Sequence, residues 1–161
     1  MSAFSLQPLE EKDRRWAADF IREQWGAAVV VSRGRVHRPD SLPGFLAWQE
    51  GRPVGLVTYH IEGEDCELVS LNSLIEGQGL GAALVRAVED AARAAGCRRL
   101  WLITTNDNTP ALRWYQRRGF RLAALHPGAI EHSRKIKPEI PLTGLDGIPI
   151  RDEIELEILI N

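Results

Sequence analysis

Three glycines at alternate positions, Gly77, Gly79 and Gly81, are the residues of this sequence most clearly suited to binding chemistry. A short branched apolar run precedes them, and apolar residues at helical spacing follow, so Glu67–Ala95 predicts a strand, a glycine turn and a helix. Without Cβ atoms, such a loop adopts positive φ freely and can turn its backbone N–H groups toward one anion. The start of a helix adds partial positive charge. The pattern therefore predicts a pyrophosphate cradle that needs no cationic side chain.

The alternative for this segment is a tight turn whose glycines only let the strand and the helix pack closely. Two familiar phosphate loops fit poorly. A P-loop would place Lys and Ser or Thr where Ala82-Ala83 stand. A dinucleotide fingerprint needs Gly-x-Gly-x-x-Gly, which differs from the rhythm of Gly77-Gln78-Gly79-Leu80-Gly81-Ala82.

A second motif, NTPALRWYQRRGF, occupies Asn108–Phe120 and follows an apolar run, Arg99–Thr105, that is typical of a strand buried on both faces. Thr109 is predicted to cap a helix, with Pro110 in its first position and Gly119 at its end. The strand before the glycine loop, the helix after it and the strand Arg99–Thr105 follow in succession, which implies a right-handed crossover between two parallel strands. Because ligands bind beyond the carboxyl ends of such strands, the glycine loop and this helix start should share one crevice.

Together these two motifs resemble those of the GNAT superfamily of N-acetyltransferases. The glycine loop is similar to the family's Arg/Gln-x-x-Gly-x-Gly/Ala loop, which holds the pyrophosphate of acetyl-coenzyme A (acetyl-CoA). Asn108–Phe120 is similar to its Asn-x-x-Ala-x-x-Phe/Trp-Tyr-x-x-x-Gly-Phe segment. Glu76 departs from the family, which usually has Arg or Gln there, so its carboxylate is expected to point away from the phosphates. The motif-level resemblance spans Leu68 to Leu125.

The resemblance implies one GNAT N-acetyltransferase domain over residues 1–161. Its implied fold is α+β (mixed α/β): a central, mostly antiparallel sheet of about seven strands with one splayed parallel pair, and helices on both faces. The implied reaction moves an acetyl group from acetyl-CoA, used as a co-substrate, to a primary amine by direct attack. The acceptor would be a small molecule, a protein N-terminus or a lysine, and no metal is implied.

The resemblance also implies roles for individual residues. An unpaired backbone N–H near Leu71 or Asn72 would hold the thioester carbonyl, and Tyr115 would give a proton to the leaving thiolate. A phenol with a reference pKa of about 10 stays protonated at neutral pH and can still donate. Taken without the resemblance, Tyr115 fits an amphipathic core residue better. The implied cofactor-binding residues are Leu71, Asn72, Ser73, Gly77, Gln78, Gly79, Leu80, Gly81, Ala82, Asn108 and Tyr115.

For the proton acceptor, the resemblance implies a carboxylate on either central strand, sometimes acting through a water chain. The strand end Leu102–Thr105 supplies no carboxylate, which leaves Glu67 and Asp65. Period-two alternation places both on the face of Val69 and Leu71. Glu67 is the predicted catalytic base because it is nearer the expected thioester position, although a solvated strand-end carboxylate, Asp65 or water fits as well.

The length, net charge and cysteine content of the chain limit the classes of protein to which it can belong. The chain has 161 residues, 44% of them hydrophobic, and a formal net charge of -2 with both signs interspersed, so one domain is expected. No basic field exists to attract nucleic acid or anionic membranes. Cys66 and Cys97 lack metal-ligand spacing and are expected to be buried, reduced thiols. No apolar signal core and no spanning run are visible, which predicts a cytoplasmic protein, with a homodimer left open.

The remaining segments predict a meander around this core. Acceptor recognition is expected from Trp25–Pro43 and His126–Pro149. The first segment contains a basic loop that either binds an acidic group of the acceptor or is simply solvated; its residues are Arg33, Arg35, His37 and Arg38. Alternation of glutamates from Glu153 onward with Ile154, Leu156 and Ile158 predicts one wet acidic strand face. The predicted elements are strand Phe4–Pro8, helix Glu10–Gln24, strand or turn Ala27–Val31, loop Ser32–Gly44, hairpin strands Phe45–Gln49 and Val54–Ile61 around Glu50–Pro53, strand Phe120–Leu125, helix Ile130–Lys137 and loop Pro138–Pro149.

Two other functions remain open at this level. A non-catalytic module that binds acyl-CoA as a sensor or regulatory subunit would also need the glycine loop, and Glu76 mildly favours it. A small nucleotide-binding domain is the second, although no acidic residue is placed for a ribose. The acceptor itself cannot be read from these residues.

Overall fold

The computed structural model of the chain describes residues 3–27 and 29–161. Within these residues, nine strands and four α-helices follow one another. They are β1 (Ser5–Pro8), α1 (Arg14–Trp25), β2 (Val30–Ser32), β3 (Arg35–His37), β4 (Gly44–Gln49), β5 (Arg52–Glu62), β6 (Asp65–Ser73), α2 (Leu80–Ala94), β7 (Arg99–Thr105), α3 (Thr109–Arg117), β8 (Arg121–His126), α4 (Ala129–Ile136) and β9 (Glu153–Leu159).

Seven of these strands form one sheet in the order β1-β4-β5-β6-β7-β9-β8. Its neighbours run antiparallel except for β6 and β7, which are parallel. Helix α1 buries Ala17, Phe20 and Ile21 against one face. Helix α2 packs Leu84 and Val88 into a larger apolar cluster that also holds side chains of β7 and β9. The predicted mixed fold, with one parallel pair in a mostly antiparallel sheet, is confirmed.

The parallel pair separates soon after it forms. Only Asp65–Glu67 of β6 and Arg99–Trp101 of β7 are in register. Beyond that point β6 pairs with β5 alone, and β7 pairs with β9 along its whole length. The two central strands therefore diverge into a fork that is open toward the glycine loop and the start of α3.

A β-bulge sits on the β6 arm of the fork. Thr58 of β5 is opposite Ser70, but the next residue, Tyr59, is opposite Leu68, so Val69 has no partner of its own. An extra residue in one strand reverses the in-and-out alternation of the residues that follow it. The faces predicted for β6 by simple period two are therefore wrong beyond Val69.

The segment before β4 is more ordered than the sequence predicts. Residues Ser32–Gly44 were expected to be a loop, but β3 pairs there with β2 as a two-stranded hairpin. Its turn residues Arg33 and Gly34 have φ values of 53° and 76°, as a type I′ turn requires. Strand β2 begins at Val30 and so covers only the end of the predicted Ala27–Val31 run. Ala28 lies outside the described residues.

Three element boundaries also differ from those predicted. Helix α1 begins at Arg14, after a short 3-10 turn over Glu11–Asp13. The β4–β5 turn consists of Glu50 and Gly51, both with positive φ, so Arg52 and Pro53 already belong to β5. The cap of α3 is Asn108, not Thr109, because the Asn108 Oδ1 accepts a hydrogen bond from the Ala111 N–H at 3.3 Å.

Strand β9 lies between β7 and β8, so its acidic face is not wet as predicted. Glu153 is only 1% exposed. Glu155 and Glu157 are mostly covered by side chains of the two neighbouring strands, with Arg99 contacting both carboxylates. A central strand has neighbours on both edges, and their long basic side chains cover and neutralise the glutamates.

Cys66 and Cys97 are buried free thiols, as predicted. Burial raises the pKa of the Cys66 thiol to about 12, so it is an inert core group at neutral pH. None of the helices in the described part of the chain is long and apolar enough to cross a bilayer.

Candidate active site

The glycine loop presents a row of free backbone donors. Gly77 and Gly79 have φ of 71° and 75°, and a Cβ added to either would meet no atom within 4 Å. Within the described residues, no N–H from Gly77 to Ala82 donates a hydrogen bond, and the first N–H bonded to the loop is that of Ala83, to the Gly79 carbonyl at 3.1 Å. These N–H groups lie at the N-terminus of α2, so the loop fits an anion such as a diphosphate.

Gly81 has a different reason to be glycine. A Cβ there would lie 3.1 Å from Cζ2 of Trp114, so its absence lets α2 approach α3 closely. The Arg118 guanidinium stacks over the same indole at 3.7 Å from the ring centroid. Gly81 therefore serves the packing of two helices and not the strand–helix packing of the alternative interpretation, while Gly77 and Gly79 serve the loop conformation.

Tyr115 stands on α3 beside this loop. It is 8% exposed and packs edge-on against Trp114 and Phe120, in the apolar cluster on the α2 side of the sheet. Its hydroxyl makes no hydrogen bond to any described residue. Burial raises the pKa of the phenol, so it remains a proton donor throughout the neutral range.

A cavity of about 230 Å³ lies at the fork, on the side covered by the β2–β3 hairpin and α4. The bulged Val69 and Ile103 reach it from the two diverging strands, and Asn108 reaches it from the start of α3. Most of its wall is apolar. Its lining residues are Trp25, Val30, Val31, Val69, Ile103, Thr104, Thr105, Asn108, Ile130, Lys137, Glu139, Ile140, Pro141, Ile150 and Glu153.

Glu67, the base predicted from the sequence, is buried but does not line this cavity. The His37 Nε2 atom on β3 lies 3.1 Å from its carboxylate. The bulge places Leu71 on the other face, where it packs with the α2 cluster, so the predicted common face of Glu67 and Leu71 is wrong. Asp65 is exposed, with its carboxylate 3.8 Å from Arg99.

Glu153 is a carboxylate that the sequence analysis missed. It lines the cavity, and both of its oxygens accept from the Arg33 N–H, at 3.2 and 3.4 Å. Burial raises its pKa, the negative charge of Glu67 adds to this, and Arg33 and His126 oppose it. No local pattern marks Glu153, since only the placement of β9 beside β7 sets it opposite Thr105 at the open end of the fork.

The edge of β6 that faces β7 has no strand partner beyond Glu67, which leaves its backbone groups accessible from the fork. Two predicted cofactor-binding side chains are engaged locally: the Asn72 Oδ1 accepts from the Trp25 indole N–H at 3.0 Å, and the Ser73 hydroxyl donates to the Ile75 carbonyl at 2.6 Å. Only the main chain of this stretch is thus free for a ligand.

The predicted basic loop is instead a paired hairpin. Arg35 forms an ion pair with Glu62 at 2.9 Å, and Arg33 contacts the His126 ring. His37 is buried on Glu67. Arg33 and Arg35 thus have partners within the chain, which argues against their forming an open anion-binding patch.

Comparison with known proteins gives a consistent result. A model of the acetyltransferase (GNAT) family matches residues 4–120. The uncharacterized protein YdhI of Bacillus subtilis (strain 168) is 45% identical over 148 residues, 91% of this chain and 92% of YdhI. Streptothricin acetyltransferase of Streptomyces lavendulae is 45% identical over 49 residues, 30% of this chain and 26% of that enzyme.

A solved structure also matches the fold of this chain over nearly its whole length. The crystal structure of a GNAT family acetyltransferase from Elizabethkingia anophelis with acetyl-CoA bound aligns with a TM-score of 0.70 at 19% identity, covering 99% of this chain and 100% of that one. The likeness extends over both arms of the fork and the glycine loop. This chain therefore belongs to the GNAT family of acetyltransferases.

Proposed function

We propose that this protein is an N-acetyltransferase that moves the acetyl group of acetyl-CoA directly to a primary amine. The observation that carries the proposal is the row of unbonded N–H groups from Gly77 to Ala82 beside the fork between β6 and β7. A diphosphate held at that row has its thioester arm directed into the fork. The acetyl-CoA bound to the Elizabethkingia anophelis relative supports this choice of donor.

Donor binding is assigned mainly to the main chain. The loop N–H groups hold the diphosphate, the free edge of β6 binds the amide groups of the pantetheine arm, and Asn108 positions that arm at the start of α3. The residues proposed to bind the donor are Leu71, Asn72, Ser73, Gly77, Gln78, Gly79, Leu80, Gly81, Ala82, Asn108 and Tyr115.

Two groups would act on the thioester. A main-chain N–H near Leu71 or Asn72 stabilises the oxyanion that develops on the carbonyl, a contribution of about 3 kcal/mol at the transition state. Tyr115 donates its proton to the leaving sulfur, which its raised pKa permits at neutral pH. One C–N bond forms, one C–S bond breaks, and the thiolate leaves as a thiol.

The amine must lose a proton during the same reaction. Glu67 is the base expected from the sequence, but its carboxylate is held by His37 outside the cavity. We infer that the carboxylate of Glu153, which lines the cavity and has a raised pKa, accepts this proton from the amine. In this assignment, the charge of Glu67 helps to keep the proton affinity of Glu153 high.

The test follows thiol release from acetyl-CoA over a panel of primary amines. Tyr115→Phe should lower kcat by about 10²- to 10⁴-fold, because the thiolate loses its proton donor, with CoA affinity unchanged. Tyr59→Phe is the matched control, since Tyr59 is a half-buried tyrosine of β5 that stacks on Phe45 away from the loop. It should leave kcat near the wild-type value.

Two results would contradict the proposal. Undiminished turnover in Tyr115→Phe would remove Tyr115 from the mechanism. Thermal stabilisation by CoA without amine-dependent thiol release would instead support a non-catalytic acyl-CoA-binding module.

A further inference from the structure

The cavity at the fork contains an ammonium group that the proposed reaction does not use. Lys137, at the C-terminal end of α4, is 7% exposed and lines the cavity. Its Nζ donates one hydrogen bond, to the Val29 carbonyl at 3.1 Å. Within the described residues, no carboxylate lies within 4.0 Å of this nitrogen.

A buried ammonium without a counter-charge is unfavourable unless a ligand supplies one. Burial lowers the pKa of Lys137, and the charge of exposed Glu139 at the cavity wall partly offsets this. The ammonium has three donors, and one hydrogen bond to Val29 leaves two of them for an anion. Lys137 is therefore suited to bind a carboxylate inside the cavity.

Two carboxylates line the same cavity, the exposed Glu139 and the buried Glu153. Glu153 is the one shielded from solvent, so it is the stronger candidate for holding a ligand's positive charge. Its carboxylate is buried and accepts only from the Arg33 N–H among described donors, so it can also hold an ammonium. A ligand that carries an amine and a carboxylate would match both groups. Val30, Ile103 and Ile130 also line the cavity and give it an apolar surface that suits a hydrocarbon side chain.

Size restricts the ligand further. Pockets for drug-sized ligands have volumes of about 300–1,000 Å³. The cavity, at about 230 Å³, is smaller than that range. A single compact molecule fits it better than a bulky antibiotic or a folded protein terminus.

We propose that the acceptor is a free apolar amino acid, whose amine is held at Glu153 and whose carboxylate is held at Lys137. This inference rests on the proposed function and narrows its acceptor. Acetylation of such a ligand forms an amide at the amine and leaves the carboxylate unchanged. Lys137 is thus a specificity-determining residue and not a proton-transfer group.

The experiment compares each of L-valine, L-leucine, L-methionine and L-phenylalanine with its own amide, which has the same size and lacks the negative charge. Rates are compared at equal concentrations of neutral amine. Wild-type protein should favour at least one acid over its amide by about tenfold or more in kcat/KM. Lys137→Gln should remove this preference mainly through KM, since Gln can still donate to the Val29 carbonyl but carries no charge.

Lys135→Gln is the control, because Lys135 is exposed on the same helix and does not line the cavity. It should keep the preference. A binding measurement separates recognition from turnover: the favoured amino acid should stabilise CoA-bound wild type against heat and should not stabilise Lys137→Gln.

Equal rates for acids and amides in the wild type, or a preference that survives in Lys137→Gln, would overturn the inference. Turnover of other amines with none of these amino acids would also overturn it, while leaving the proposed acetyltransferase function standing. A lack of turnover with every amine, together with intact CoA binding, would count against the proposed function itself.

Discussion

Glu67 and Glu153 are buried carboxylates whose surroundings assign them different tasks. Glu67 lies in β6, opposite His60 of β5, and its carboxylate is within hydrogen-bond distance of the His37 ring. Among described donors, Glu153 accepts only from the Arg33 N–H, and it borders the cavity. A base must reach the proton that it removes, so access to the cavity favours Glu153.

The pH–rate profile distinguishes the two carboxylates. Because the pKa of Glu153 is raised, activity should rise with pH through a value above the ordinary carboxyl range. Glu153→Gln should remove this acid limb and lower kcat/KM by about 10²- to 10⁴-fold, since Gln keeps the hydrogen bond from Arg33 but accepts no proton. Glu67→Gln deletes a nearby negative charge, so it should shift the limb to lower pH with a smaller loss of rate.

The reverse outcome would restore Glu67 as the base. In that case, the acid limb would vanish in Glu67→Gln and persist in Glu153→Gln. Measuring both variants with one amine keeps the titration of the acceptor the same in both profiles.

At the scale of elements, the strand, glycine loop and helix from β6 to α2 are the part most fully specified locally. Gly77 and Gly79 adopt the positive φ that their sequence permits, and the loop delivers its N–H groups to the start of α2. The β2–β3 hairpin was harder to foresee because its turn, Arg33-Gly34, places a non-glycine residue at positive φ. Only its contacts with β6 and β9 show that it closes the cavity.

Gly79→Ala tests the cradle. The Ala side chain would disfavour the left-handed conformation at φ of 75° by about 1–2 kcal/mol, so the loop should relax and misalign its N–H groups. Calorimetric titration should show CoA binding weakened by about tenfold or more. An unchanged Kd would mean that the diphosphate is held elsewhere.

The matched control is Gly63→Ala, at the β5–β6 turn. Gly63 also has positive φ, 63°, and open space around an added Cβ. The two variants should lose similar stability against heat, while Gly63→Ala should bind CoA as tightly as the wild type.

At the scale of the whole molecule, β9 joins the edge strand β8 to β7 and so to the centre of the sheet. Its Glu157 accepts from Arg99 of β7 at 2.7 Å and from Arg121 of β8 at 2.8 Å. Hydrogen bonds from Arg99 and then Arg121 lower the pKa of this carboxyl. The network replaces the solvent face that the alternating sequence of β9 predicts.

This network makes stability depend on pH. Because the folded-state pKa of Glu157 is lowered, its contribution is fully present above the unfolded carboxyl pKa and is lost as pH falls through the folded value. Glu157→Gln should reduce the free energy of unfolding by about 1–3 kcal/mol at pH 7. Urea titrations should show this difference shrinking toward about pH 3, below the unfolded carboxyl pKa.

Glu89→Gln on α2 is the control, since the Glu89 carboxylate makes no ion pair within the described residues. Its stability should stay close to wild type at both pH values. A Glu157→Gln deficit that did not change with pH would exclude the carboxylate charge as its source.

The sequence by itself determined the strand, loop and helix around Gly77 and Gly79, the buried strand β7 and the helix that carries Tyr115. Each of these depends on residues close together in the chain: glycines that permit positive φ, apolar periodicity, and a proline in the first turn of a helix. Tertiary structure alone decided which buried carboxylate borders the cavity. Glu153 and Lys137 both line it because β9 inserts beside β7 and α4 covers the fork, and the bulge at Val69 resets the face of β6. Contacts between residues this distant in sequence leave no local pattern.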